Sequence, residues 1–282
     1  MARNKIGFHL GTGGNKTGYG DYIRALDAAG IPAFVGSMSG EGFGDVKAQW
    51  DAGSTVPHVV VVRYMPDSGQ DVPAYGTDVN AAVDAWLNWY APKIGNDVKQ
   101  YHQRVITKHG NELDKNQLVW LAGFYPVLHA ELLRRMGWAS HRICCFSFAS
   151  GEPEPEQWEQ PEVLNFLRLA GDNPDKFVIG LHEYSYANTL DDGYPYKIGR
   201  FQKLYEICDR HGIKRPLIAI HEFGWRQDTL PDPGPAMGQI QNFAAPLYCD
   251  YDTVLGAAIW TTQQGYGGIA EKAQRLIAPV RD

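Results

Sequence analysis

Cysteine is scarce: four of 282 residues, none in a CxxC pair. Cys144 and Cys145 are adjacent in an apolar run, while Cys208 and Cys249 stand alone, so neither a zinc framework nor a disulfide scaffold is expected and all four read as small hydrophobes. No apolar run approaches the ~18 residues of a membrane span. No Lys/Arg run is long enough to grip phosphates, and the formal net charge is −6, so nucleic acid is not an expected partner. The Gly-rich stretch GTGGNKTG (Gly11–Gly18) matches neither a dinucleotide fingerprint nor a P-loop. There is no internal repeat or low-complexity segment. MARNKIGFHLG runs straight into an apolar strand without a signal-peptide pattern, which leaves a cytoplasmic protein, or a secreted one whose signal has been removed, as the expectation.

What is present is apolar and aromatic. The chain is 44% hydrophobic and 12% aromatic, with 8 Trp and 15 Tyr, enough for a large core with rings to spare for a flat hydroxylated ligand. Eight short apolar runs recur: KIGFHLGTGG, IPAFVGSM, HVVVVRYMP, RVITKHGNE, HRICCFSFASGEP, KFVIGLHEYSY, PLIAIHEFGW and VLGAAIWTT. Most are separated by segments with helical spacing, such as GYGDYIRALDAAG and LVWLAGFYPVLHAELLRRMG, which stop at Gly30 and Gly137. Near-continuous apolar strands alternating with helices imply a parallel sheet covered on its outer face. Eight units over 1–282 with no break in composition predict one α/β domain, a single (β/α)8 TIM barrel; a doubly wound open sheet would usually have fewer strands. The Pro/Gly-rich connections MPDSGQDVPAYG and QDTLPDPGPAMG should lie on one rim.

In such a barrel the reactive groups gather at the C-terminal ends of the strands. Those ends carry Asn111–Glu112 on the fourth, His182-Glu183-Tyr184 on the sixth, His221–Glu222 on the seventh and Trp260 on the eighth. Glu222 closes the run PLIAI, where an unpaired acid would be costly. Two carboxyls facing each other across the mouth suit glycoside hydrolysis, whose retaining form needs them ~5–5.5 Å apart. Acids that close cannot both ionise easily, so one pKa should rise.

Asn-Glu on strand four, Glu on strand seven, Trp on strand eight and His-x-Tyr on strand six together resemble the clan of retaining β-glycoside hydrolases built on (β/α)8 barrels, clan GH-A. The resemblance implies Glu112 as acid/base with the raised pKa, Glu222 as nucleophile, and Asn111 on the sugar 2-hydroxyl. Tyr184 should hold the nucleophile and Trp260 should lie under the sugar ring. His182, His9 and Arg63 are expected as helpers at strand ends, and Trp158, beside GEPEPEQW, as the border of a sugar subsite. Gln263 and Gln264 are further candidates for hydroxyl contacts. No cofactor or metal is expected, and the expected partner is a carbohydrate bound by a monomer, with modest rim loops and endo action.

Two other readings stand beside this one. The His-Glu pairs suit a divalent metal in a sugar isomerase or hydrolase. Strand alternation opposes it, since His221 should face the helices if Glu222 faces the mouth, unless a bulge intervenes. A barrel that binds glycans without cleaving them is the other.

Overall fold

The computed structural model describes residues 5–65, 71–226, 230–266 and 268–281. Eight parallel strands close in sequence order: β1 Ile6–Leu10, β2 Phe34–Met38, β3 Val59–Arg63, β4 Val105–Lys108, β5 Arg142–Phe148, β6 Phe177–Tyr184, β7 Leu217–Gly224 and β8 Val254–Ile259. The ring shuts where Ile6, Gly7 and Phe8 pair with Ala257, Ala258 and Ile259. The expected (β/α)8 barrel is therefore the observed one. Parts of the two Pro/Gly-rich rim connections, 66–70 and 227–229, lie outside the described residues.

Every strand is buried on both faces, which is why the runs read as almost unbroken apolar sequence. Inward side chains Phe34, Val61, Ile106, Cys144, Val178, Ala219 and Ala258 fill the barrel, and a much larger apolar layer joins its outer face to the helices. The cysteines pack as expected: no described pair forms a disulfide, and Cys144, Cys145 and Cys208 are buried. The principal covering helices include Tyr19–Ala28, Val79–Tyr90, Leu118–Met136, Pro161–Asp172 and Phe201–Arg210. Gly137 takes the left-handed conformation that ends the longest of them. No described helix is long and apolar enough to cross a membrane.

Two features tie the scaffold to the strand ends. The Gly-rich loop after β1 lies on the segment after β8: Asn15 N–H donates to Thr262 O at 3.2 Å, and a Cβ at Gly14 would stand 1.6 Å from that oxygen. Glu183 points outward from β6. It accepts from the backbone N–H of Gly199 (2.7 Å) and Phe201 (3.4 Å), at the start of helix Phe201–Arg210, and from the Tyr248 hydroxyl (2.7 Å).

Candidate active site

The two-residue period of the strands delivers most of the site. Val61 and Ile106 face into the barrel, and two residues on so do Arg63 and Lys108; Val178 leads likewise to His182 and Tyr184. Glu222 joins them through an irregularity. Leu181 pairs with Ile220 but His182 pairs with Glu222, so β7 carries one extra residue, His221. This bulge overturns the expectation that His221 faces the helices. Its Nε2 lies 3.3 Å from His182 Nε2, inside the barrel.

Glu112 reaches the mouth by a different device. Its backbone is left-handed at φ 46, and its N–H donates to Ser147 O at 2.8 Å, where β5 bulges between Phe146 and Phe148. The side chain of Glu112 is 44% exposed and that of Glu222 only 9%. One imidazole stands between the two acids: His182 Nδ1 is 3.3 Å from Glu112 Oε1, and Nε2 is 3.4 Å from Glu222 Oε1.

Glu222 sits among donors. The Tyr184 hydroxyl donates to Oε2 at 2.9 Å, while Lys108 Nζ and Arg63 Nη1 lie 3.7 and 3.8 Å from Oε1. Burial alone would raise this carboxyl, but the charges of His182, Lys108, His9 and Arg63 outweigh it and hold the group far below its ordinary range. Burial brings His9 down to about 4, against Glu222, and lowers His182 as well. At neutral pH the standing cations are therefore Lys108 and Arg63. Burial, helped by repulsion from Arg63, brings the Lys108 ammonium down to about 8, and Glu222 opposes the fall. Arg63 is gripped through Nε and Nη2 by Asp71, both at 2.9 Å. Lys108 Nζ also donates to Asn111 Oδ1 at 2.5 Å; a lysine has only donors, so the Asn111 amide NH2 is the group left to face a ligand.

The remaining candidates divide. Trp260 lies at the mouth, edge-on to Tyr184 (centroids 6.1 Å) and to Tyr266 (4.3 Å). His9 is buried, with Nδ1 2.8 Å from Thr261 Oγ1, and supports the site from below. Trp158 is a correction: it is buried against Phe146 and Phe148 in the layer behind β5, where apolar contact absorbs the ring. Gln263 and Gln264 lie against Gly11 and Gly13 of the first loop. The expected rise at Glu112 is not met while His182 Nδ1 carries a proton: its hydrogen bond then pulls this carboxyl below its ordinary range, and burial and the Glu222 charge only partly oppose it. Lys108, Asp71 and the exposed rim residues Tyr186 and Tyr266 carry no expectation from the sequence, and His221 carries one only for its direction; Lys108 has a local signal, two residues after inward Ile106. Among the described residues no group of three or more His, Cys, Asp and Glu side chains is placed to hold a metal ion.

No family model matches the chain, and no curated protein does. Solved structures do. A GH5 family lichenase from Caldicellulosiruptor sp. F32 superposes over 99% of this chain and 92% of its own, at 14% identity and TM-score 0.51. XacCel5A in complex with cellopentaose covers 98% and 99% at 12% identity and TM-score 0.52. The endo-beta-1,4-glucanase Xac0029 from Xanthomonas axonopodis pv. citri covers 99% and 100% at 11% identity and TM-score 0.50. At such identities the likeness is one of fold.

Proposed function

We propose that this protein is a retaining glycoside hydrolase that cleaves β-glycosidic bonds within a poly- or oligosaccharide. Glu112 is the acid/base and Glu222 the nucleophile. The observation that carries the reading is the pair of carboxylates held on either side of His182 at the C-terminal mouth of the barrel. Their environments differ as the two roles require: one half-exposed and open to a leaving group, the other buried and charge-stabilised.

The state of Glu222 supports retention over inversion. A carboxylate held far below its ordinary range is a poor base toward water, as an inverting enzyme would need, but it is a good leaving group from a glycosyl ester. In the first step Glu222 attacks the anomeric carbon while Glu112 gives its proton to the departing oxygen. In the second, Glu112 takes a proton from water, whose oxygen displaces Glu222. Asn111 turns its NH2 toward the sugar, Tyr184 steadies Glu222, and Trp260 offers an apolar face. The structural neighbours, among them a lichenase and an endo-β-1,4-glucanase, make β-glucans the first substrates to try.

The test is a panel of β-glycans with the product anomer read by proton NMR before mutarotation. Retained configuration is expected. An inverted product would remove the nucleophile assignment. Binding without turnover across the panel would make the barrel a glycan-binding module.

A further inference from the structure

Glu112 must hold a proton at the start of the reaction just proposed, and this inference rests on that reading. The lowering described above applies while His182 Nδ1 donates to Glu112, so the tautomer of His182 decides the matter. The tautomer follows from bookkeeping of donors and acceptors, beginning at a group that has no choice.

Leu181 O is a backbone carbonyl and only accepts. His221 Nδ1 lies 3.2 Å from it and must be the protonated nitrogen. His221 is buried, and burial, with Lys108, His182 and His9, drives its pKa well down, so the ring is neutral and its Nε2 is a bare acceptor. That acceptor faces His182 Nε2 at 3.3 Å. Glu222 Oε1 lies 3.4 Å from the same nitrogen as a charge neighbour. The His221 acceptor and the Glu222 charge together favour a proton on His182 Nε2. The Lys108 ammonium opposes them: it is a donor 3.2 Å from Nε2, and a bond from it would need that nitrogen bare, but Asn111 Oδ1 accepts from it at 2.5 Å and the Glu222 carboxylate neutralises it from 3.7 Å. Burial also keeps His182 neutral, so with Nε2 protonated its Nδ1 is bare and faces Glu112 Oε1. Two lone pairs facing at that distance repel unless Glu112 brings the hydrogen.

We propose that His221 is a positioning residue for proton transfer: by accepting from His182 Nε2 it fixes the tautomer whose Nδ1 is an acceptor, and so seats the resting proton on Glu112. The bulge in β7 is what makes this reach possible, because it turns His221 inward beside Glu222. The chain serves both halves of the reaction. Before bond cleavage the bare Nδ1 holds the carboxyl hydrogen in place. After Glu112 has given that proton to the leaving oxygen, its carboxylate faces a lone pair and becomes a stronger base toward the incoming water, which restores the proton and supplies the hydroxyl. The other charged and titratable neighbours act from fixed positions: Lys108, Arg63 and His9 around Glu222, and Tyr186, whose hydroxyl burial and Glu112 raise.

The tautomer is read directly on the full chain by 15N–1H correlation spectra of the histidine rings, without substrate. A proton on His182 Nε2 and a bare Nδ1 are expected; the reverse overturns the inference. Kinetics supply the second arm. His221→Phe should lose about 100-fold in kcat/KM on unactivated glycans, which need the acid, and only about threefold or less on dinitrophenyl glycosides, which do not. Its alkaline limb on glycans should move to lower pH, because Glu112 gives up its proton earlier. His221→Gln keeps an acceptor oxygen and should lose far less. Equal losses on both substrate types, or an unmoved alkaline limb, would overturn the proposal. If His221→Phe does not fold, the wild-type spectrum decides alone. Absence of any wild-type turnover would end the hydrolase reading while leaving the tautomer measurable, so the two failures are distinct.

Discussion

Glu222 is a buried carboxylate kept charged by two cations that arrive on different strands, Arg63 on β3 and Lys108 on β4. Removing one should show at the acid end of the pH profile. Lys108→Met deletes a positive charge, so the Glu222 pKa rises, less of it is ionised at low pH, and the acid limb of kcat/KM moves upward by about one pH unit. The same change frees the Asn111 amide to rotate, so kcat/KM at neutral pH should fall too. An unmoved acid limb would show that Arg63 alone sustains the charge. Glu222→Ala should lose about 10⁴-fold or more, with azide restoring turnover and giving the inverted product; activity close to wild type would remove Glu222 from the chemistry. Both acids could be picked out in the sequence because Glu222 ends an apolar run and Glu112 follows one by four residues. Lys108 could have been read the same way, by counting two from Ile106. His221 could not, because its direction depends on how β7 pairs with β6, and no local pattern in β7 records that pairing.

At the scale of elements, the site depends on where backbone leaves its regular path. Gly110 has φ 92, and a Cβ there would stand 2.7 Å from Leu113 Cδ2, so Gly110→Ala combines a left-handed penalty with a clash. It should cost about 1–3 kcal/mol in stability and should displace Glu112, two residues on, lowering turnover on unactivated glycans more than on activated ones. A variant with unchanged activity would show that the Ser147 carbonyl alone positions the acid. Glu183 makes a different prediction. Burial pushes its carboxyl up to about 7, against hydrogen bonds from Gly199, Tyr248 and Phe201. From the ordinary 4.5 up to about 7 the folded protein keeps a proton that the unfolded chain has lost, so stability falls as pH rises through that window and levels off above it, by roughly 3 kcal/mol at most. Thermal melts from pH 5 to 8 should therefore fall more steeply for the wild type than for Glu183→Gln. Parallel curves would mean that three donors keep Glu183 ionised throughout. Its outward direction was legible, since alternation from His182 predicts it; its partners were not, because Tyr248 comes from a distant helical segment.

For the whole molecule, the eight-unit count survived because a closed parallel barrel buries both faces of every strand, leaving an apolar signature that irregular loops do not mask. Trp158 shows the limit of such reading: an aromatic beside a polar loop looks the same in sequence whether it lines a groove or plugs the layer behind it. The arrangement of the rim bears on how a glycan is attacked. The connection after β2 is short, Ser39–Gly42, while the one after β6, Ser185–Arg200, carries exposed Tyr186, Tyr194 and Tyr196, with Tyr266 exposed beyond β8. Tyr186 stacks beside Tyr184 and Tyr266 lies beside Trp260, so under the proposed function these two exposed rings would offer apolar faces to sugars on either side of the scissile bond, which a pocket for a chain end would not need. A polysaccharide should therefore be cut internally. Its viscosity should drop early, while few reducing ends have formed, and the first products should be a ladder of oligosaccharides. Steady release of one small sugar from the start, with viscosity falling only in proportion, would mean that the mouth holds a chain end and that the rim tyrosines serve something other than the chain.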